Sequence, residues 1–335
     1  MVKVGIIGYG YWGPNLLRNF YAAGNCQVLS VADGRDERLA LVRRVYPAVK
    51  TVKSADEILS DVQVDAVVIA TPVSSHYELA KKALMNGKHV LVEKPMTASV
   101  DEAEELILLA NARGLTLMVD HTFLYTGAVV KMKELIDNGS LGVMKYLDST
   151  RINLGLFQHD INVLWDLAPH DISILNFLVA ERSLSVNATG ITHTNNDLEN
   201  IAYLTLNYNS GFIAHFNCSW TSPVKIRMML LGGDKKMVVY NDLEPTEKIK
   251  IYDTGYEYKT DEEKNRVLID YRSGDMYAPK LQVSEALSSM ANDFLQSILN
   301  KTKPLSDYSI GYDVVKILQA SSKSLKENGK EIFID

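Results

Sequence analysis

The sequence predicts an α/β chain: an N-terminal doubly wound parallel sheet, then an α+β domain on a large, mostly antiparallel open sheet. Three observations predict it. Short, β-branched, nearly continuous apolar runs alternate with helix-like segments from residue 2 to about 121, as strands buried on both faces of a parallel sheet require. A glycine-rich turn separates the first of those runs from the first helix. From Val143 onward, strand-like runs follow one another without helices between them, the pattern of antiparallel neighbours.

The elements justify themselves in order. Strands are expected over 2–8, 26–33, 65–71, 89–94 and 115–121. Ser54 with Glu57, Ser75 with Glu78 and Ser99 with Glu102 each read as a capping box, and Gly87 and Gly114 fall where helices should end. In the helix starting near Val100, Ala103, Leu106, Ile107 and Ala110 share one face. Further strands are expected over 143–153, 183–194, 200–209, 212–221, 225–231, 237–241, 248–252 and 267–271. Asn209, Ser210 and Gly211 form a hairpin turn between two of them, and the polar stretch 254–265 reads as a solvated loop. The domains are placed at 1–122 and 123–335.

Composition narrows the function classes. The 335 residues carry 35 Lys+Arg against 41 Asp+Glu, a net charge of −6 that argues against bulk electrostatic binding to nucleic acid. No apolar run approaches the ~18 residues of a membrane span, and the apolar start breaks at glycines rather than continuing as a signal peptide. Cys26 and Cys218 have no zinc-site spacing and no disulfide framework, which points to a reducing cytoplasm and to no metal.

The glycine turn is Gly8-Tyr9-Gly10-Tyr11-Trp12-Gly13, between a strand and a helix, as a dinucleotide fingerprint must be. Gly8 permits the tight turn, Gly10 lets the backbone approach a pyrophosphate, and Gly13 lets the helix pack close. The helix N-terminus attracts phosphate charge. Asp33 follows Gly13 by 20 residues, where a carboxylate meets the adenosine ribose, so NAD is favoured over NADP. Arg35 lies within reach of a 2′-phosphate and blurs that preference.

Ala70-Thr71-Pro72 closes the third expected strand, His76 follows it, and Glu93-Lys94-Pro95 closes the fourth. Asp166 and His170 stand four residues apart, followed by Asp171. With the fingerprint, these motifs resemble the glucose–fructose oxidoreductase / inositol dehydrogenase / rhizopine catabolism (Gfo/Idh/MocA) family along essentially the whole chain. The resemblance implies an active-site lysine at Lys94, an acid–histidine pair at Asp166 and His170, a sheet that forms subunit contacts, and a homo-oligomer, dimer or tetramer. Tyr9, Tyr11, Trp12, Ala70, Thr71, Pro72, His76, Glu93 and His121 are expected around the cofactor. The chain departs from the family's pattern at Val73, at Leu124–Gly127 where an Arg-Phe-x-Pro is common, and in lacking a Gly-Gly-Gly before Asp166. The segment from Gly155 to Trp165 looks instead like family members that serve sugar-nucleotide and surface-polysaccharide biosynthesis.

Oxidising a secondary alcohol requires removal of a proton and of a hydride in one geometry. Histidine is the natural base, and an aspartate one helical turn away orients it. Two placements stay open: one helix from about Val163, or a helix starting near Pro169 with Asp166 in the preceding turn. Lys94 supplies positive charge at the reacting oxygen. Arg151, Asn153, Gln158, Asn162, Trp165 and His170 are expected to contact substrate, with His159 and Asp160 as weaker candidates. The expectation is an NAD-dependent oxidoreductase acting on the 3-hydroxyl of a nucleotide sugar. An inositol or free-sugar dehydrogenase, an NAD-dependent glycosidase and a non-catalytic cofactor-binding regulator are the alternatives.

Overall fold

The computed structural model describes the chain apart from Leu156, His159, Asn196, residues 258–269, Ser273 and Asp335. Its contacts divide it into two units: Met1–Thr126 with Ser284–Lys316, and Gly127–Val283 with Ile317–Asp335. The sequence reading keeps 123–335 together, whereas these contacts return Ser284–Lys316 to the first unit.

The first unit opens with β1 (Val2–Ile7), α1 (Gly13–Ala22), β2 (Cys26–Ala32), α2 (Asp36–Val45), β3 (Lys50–Val52) and α3 (Ala55–Leu59). It continues with β4 (Ala66–Ile69), α4 (His76–Met85), β5 (His89–Glu93), α5 (Val100–Arg113) and β6 (Leu117–Asp120). The strands form one parallel sheet in the order β3-β2-β1-β4-β5-β6. The order reverses between β1 and β4, and a doubly wound sheet binds ligands at the carboxyl ends beside that reversal. Gly8, Asp33, Ala70, Lys94 and His121 each lie just past the end of a strand, so the topology gathers the expected cofactor residues at one edge. Strand β3 lacks a sequence signal because three residues are too few to show alternation.

The caps differ one from another. Ser54 and Glu57 form both arms of the expected box. Ser99 accepts from the Glu102 amide, but the Glu102 carboxylate reaches the Ala98 amide instead of returning to Ser99. At Ser75 no box forms: its hydroxyl donates to Thr71 Oγ1 and to the Pro72 carbonyl, and a 3-10 turn, Val73–Ser75, precedes α4. Gly114 ends α5 at φ +63°, a left-handed conformation that glycine adopts without steric cost.

The second unit holds α6 (Gly127–Asp137), β7 (Met144–Leu154), α7 (Val163–Leu178), β8 (Ser185–Ile191), β9 (Ile201–Asn207) and β10 (Ile213–Ser219). After these come β11 (Thr221–Gly233), β12 (Met237–Asn241), β13 (Ile249–Tyr252), β14 (Gly255–Glu257), β15 (Asp270–Arg272) and β16 (Met276–Tyr277). Helix α8 (Ala286–Asn300) belongs to the first unit. The division between units falls inside α9 (Tyr308–Lys326), and β17 (Ile332–Phe333) closes the chain.

Nine strands form the second sheet, in the order β16-β13-β12-β11-β7-β10-β9-β8-β17. β7 and β10 pair in parallel and the other neighbours are antiparallel. In β9, Leu204 and Leu206 are buried while Tyr203 is exposed, as strand alternation over a one-sided core requires. Strands β14 and β15 pair apart from that sheet: β14 falls within the stretch 254–265 read as loop, and β15 overlaps the strand expected over 267–271. Among the described residues no helix is long and apolar enough to cross a membrane, and no His/Cys/Asp/Glu group is arranged to hold a metal ion.

Candidate active site

In the first unit, the glycine turn is shaped by contacts that exclude side chains. A Cβ on Gly8 would lie 2.4 Å from the Ala70 carbonyl oxygen, and one on Gly13 would lie 2.4 Å from the Gly8 oxygen. Gly8 also sits at φ +97°. A Cβ on Gly10 would meet nothing nearer than an Arg35 nitrogen at 3.7 Å, so the middle of the turn is open. Helix α1 begins at Gly13 with proline in its first turn and no side chain capping it, which leaves backbone N–H groups and the positive dipole end for a phosphate. These residues fit the pyrophosphate of a dinucleotide. Tyr9 is buried, whereas Tyr11 is 92% exposed.

Asp33 is buried at the end of β2, and both carboxylate oxygens are engaged. Oδ2 accepts from the Tyr9 amide (2.8 Å) and Arg35 Nη2 (2.9 Å); Oδ1 accepts from the Arg35 amide (3.0 Å) and Nε (2.9 Å). Burial disfavours the anion, but the Arg35 guanidinium and the two amides outweigh it and hold the carboxyl at about 2. The Arg35 side chain is half exposed.

His76 does not face solvent. Nδ1 lies 2.8 Å from the Pro95 carbonyl and Nε2 2.8 Å from the Thr71 carbonyl, so the ring clamps the loop after β4 to the loop after β5 that carries Lys94. Thr71 is half-buried and Pro72 exposed. His121 is buried with neither ring nitrogen hydrogen-bonded among the described residues. Burial, aided by the Lys94 charge, drops its pKa to about 3, which keeps the ring neutral.

In the second unit, α7 runs unbroken from Val163 to Leu178 with Pro169 inside it. Asn162 is its cap: Oδ1 accepts from the Trp165 amide (3.2 Å), and Nδ2 donates to Glu199 (2.8 Å). Of the two placements left open by the sequence, the single helix is the one formed. Asp166 lies in its first turn and His170 one turn later. The Trp220 indole donates to Asp166 Oδ2 at 2.9 Å. Trp220 is fully buried, with its ring 5.5 Å from that of Phe157. The sequence offers no sign of this role, because a tryptophan at a strand end reads as core.

Three expected substrate contacts have other partners. Arg151 is buried and pairs in bidentate fashion with Asp171, through Nε at 3.0 and 3.1 Å and Nη2 at 2.5 Å; Ser149 also donates to Asp171. This fastens α7 to β7. The expectation of a substrate contact follows from the residue's type, which the sequence gives, and not from its buried partner, which it does not. Asn162 caps the helix, and Trp165 donates to Ser322 of α9 (2.8 Å). Asn153 and Gln158 are half-buried and Asp160 is exposed, while His159 lies outside the described residues.

Comparison with known proteins agrees with this geometry. Residues 2–121 match the family model described as "Oxidoreductase family, NAD-binding Rossmann fold", and residues 129–239 match the "GFO/IDH/MocA C-terminal domain". An uncharacterized oxidoreductase of Escherichia coli K12 is 33% identical over 50% of this chain; the match spans 51% of that protein's own length. UDP-N-acetylglucosamine 3-dehydrogenase of Acidithiobacillus ferrooxidans is 30% identical over 65% of this chain and 67% of its own length. An NADP⁺-dependent scyllo-inositol 2-dehydrogenase of Bacillus subtilis is 28% identical over 71% of this chain and 69% of its own. The solved structure of the Acidithiobacillus enzyme superposes with a TM-score of 0.79 at 26% identity, covering 97% of this chain and 98% of that one. The two matched domains, the strand order and the fitted glycine turn lead to one conclusion: this chain belongs to the Gfo/Idh/MocA family of oxidoreductases, with an NAD-binding Rossmann domain at its N-terminus.

Proposed function

We propose that this protein is an NAD-dependent dehydrogenase that oxidises the 3-hydroxyl of a nucleotide sugar in polysaccharide biosynthesis. One observation carries the reading: Lys94 at the end of β5 occurs together with Asp166 and His170 a turn apart on α7, in a chain 30% identical to UDP-N-acetylglucosamine 3-dehydrogenase. NAD, when bound, supplies the acceptor for the hydride that leaves the carbinol carbon. The chain's residues do the rest. The glycine turn and the α1 N-terminus hold the pyrophosphate, and Asp33 receives the ribose. His170 takes the hydroxyl proton, Asp166 orients the imidazole, and Lys94 stabilises the developing negative charge on oxygen. Trp220 keeps the Asp166 carboxylate in place.

A second reading, a polyol dehydrogenase, is favoured by the similarity to scyllo-inositol 2-dehydrogenase. The experiment that separates them follows NADH absorbance with UDP- and dTDP-sugars, inositols and free sugars. Turnover with a UDP-sugar and none with inositol supports the first reading; activity with inositol alone overturns it. Release of a free sugar without net NADH would indicate a glycosidase, and the absence of any turnover a binding protein. The proposal includes a cytoplasmic homo-oligomer, supported by the two free cysteines and by the exposed Tyr203 and Ile213 on the open sheet face.

A further inference from the structure

Strands β5 and β6 end in register on two carboxyl groups, Glu93 opposite Asp120. Neighbouring strands lie about 4.8 Å apart; Asp120 is 3% exposed, and Glu93, half-buried as a residue, holds its Oε1 away from water. Two carboxylates sharing such a site disfavour each other's ionisation, which raises one of them strongly.

Their partners are unequal. Asp120 Oδ1 accepts from the Thr122 amide (3.1 Å) and the Thr122 hydroxyl, and Oδ2 accepts from Trp12 Nε1 (3.1 Å). Those donors stabilise an anion. Glu93 Oε2 accepts one long bond from the Lys94 amide (3.2 Å), and Oε1 accepts nothing from any described residue. A buried acceptor without a donor is destabilising, so its orphaned state calls for an explanation. A single proton on Oε1 gives one: the atom becomes a donor and Asp120 becomes its acceptor.

We propose that Glu93 carries the shared proton of a buried acid–carboxylate pair with Asp120, and that this pair ties the glycine turn, through Trp12, to the strand end that bears Lys94. The surrounding groups are consistent with it. Burial and the neighbouring Asp120 raise Glu93 well above the usual carboxylate range, and Lys94 opposes this without prevailing. His121 is neutral, as described above. Tyr125 bonds Asp293 (2.7 Å), and burial raises its hydroxyl far above the ordinary tyrosine range, with Asp120 adding a little. His76 faces the Pro95 and Thr71 carbonyls. The pair therefore contributes one negative charge near Lys94 rather than two.

The test needs no sugar, so its outcome is independent of the substrate proposed above. A carboxyl whose pKa is raised by folding stabilises the native state at low pH and loses that contribution as pH rises. Above the ordinary carboxylate range and below the raised pKa of the folded state, unfolding then releases one proton from Glu93, a tenfold change in the folding constant per pH unit. Calorimetric unfolding in buffers of different ionisation enthalpy counts that proton. Wild type should release one more than Glu93→Gln, whose amide replaces the donor; equal counts overturn the proposal. Should the variant not fold, infrared spectroscopy of the wild type at pH 7 should show the carbonyl band of a buried protonated acid, and its absence is equally fatal. Trp12→Phe should leave the proton count unchanged and weaken NAD binding severalfold in a fluorescence titration; undiminished NAD affinity refutes the tie to the glycine turn.

Discussion

Replacing Arg151 with methionine should destabilise the protein severely, and the geometry sets the size. The guanidinium and Asp171 carboxylate are 5% and 4% exposed, joined through two guanidinium nitrogens, with Ser149 Oγ at 2.9 Å as a further donor. Removing one member of such a pair strands a buried charge, which costs about 3–5 kcal/mol. Against a typical domain stability of about 5–15 kcal/mol, that is a large fraction of the whole. Urea unfolding followed by circular dichroism reads it as a lower midpoint at unchanged slope. The double variant Arg151→Met/Asp171→Leu removes both charges and should recover most of the loss, because an apolar replacement of a buried pair is often neutral or better. A loss below about 1 kcal/mol in the single variant, on that same scale, refutes the reasoning. So does a double variant no more stable than the single. A raised substrate KM at unchanged stability would restore the earlier reading of Arg151 as a substrate contact.

Trp220→Phe keeps an aromatic ring against Phe157 but deletes the indole donor to Asp166. A hydrogen bond to a charged group contributes about 1.5–3 kcal/mol, so kcat should fall roughly ten- to hundredfold with KM for NAD unchanged in steady-state assays. Asp33→Ala removes the proposed ribose acceptor and frees Arg35. Affinity for NAD should fall by about the same factor, while NADP binding holds or improves in equilibrium titrations. The same variant has a pH signature. Asp33, held at about 2, stabilises the fold fully above the ordinary carboxylate range and loses that contribution as pH falls from about 4 to 2. Urea midpoints at pH 5 and pH 2.5 should therefore differ less in Asp33→Ala than in wild type.

Much of this was legible in the sequence because it depends on local pattern. The strand runs of the first unit, the glycine turn and the placement of Asp33 rest on short-range signals, and so does the Asn209–Gly211 turn, with Gly211 at φ +81°. The single helix α7 was half legible: the spacing of Asp166 and His170 was plain, but its start depends on Asn162 as cap, which residue type alone could not separate from a ligand contact. What was not legible depends on partners distant in sequence. Arg151 reads as a substrate contact from its type alone, whereas the structure pairs it with Asp171 across β7 and α7. Trp220 stands 54 positions from Asp166, and Asp120 stands 108 from Trp12. Ser75 failed as a cap because Thr71 and Pro72 offered its hydroxyl nearer acceptors.

The central claim is that Lys94 acts on the reacting oxygen of an alcohol whose hydride passes to NAD. Single-turnover NADH formation by Lys94→Ala, with NAD affinity measured on the same sample, tests it most directly. The account predicts nearly unchanged NAD binding and NADH formation slowed by about a hundredfold or more. Normal NADH formation in that variant would contradict it.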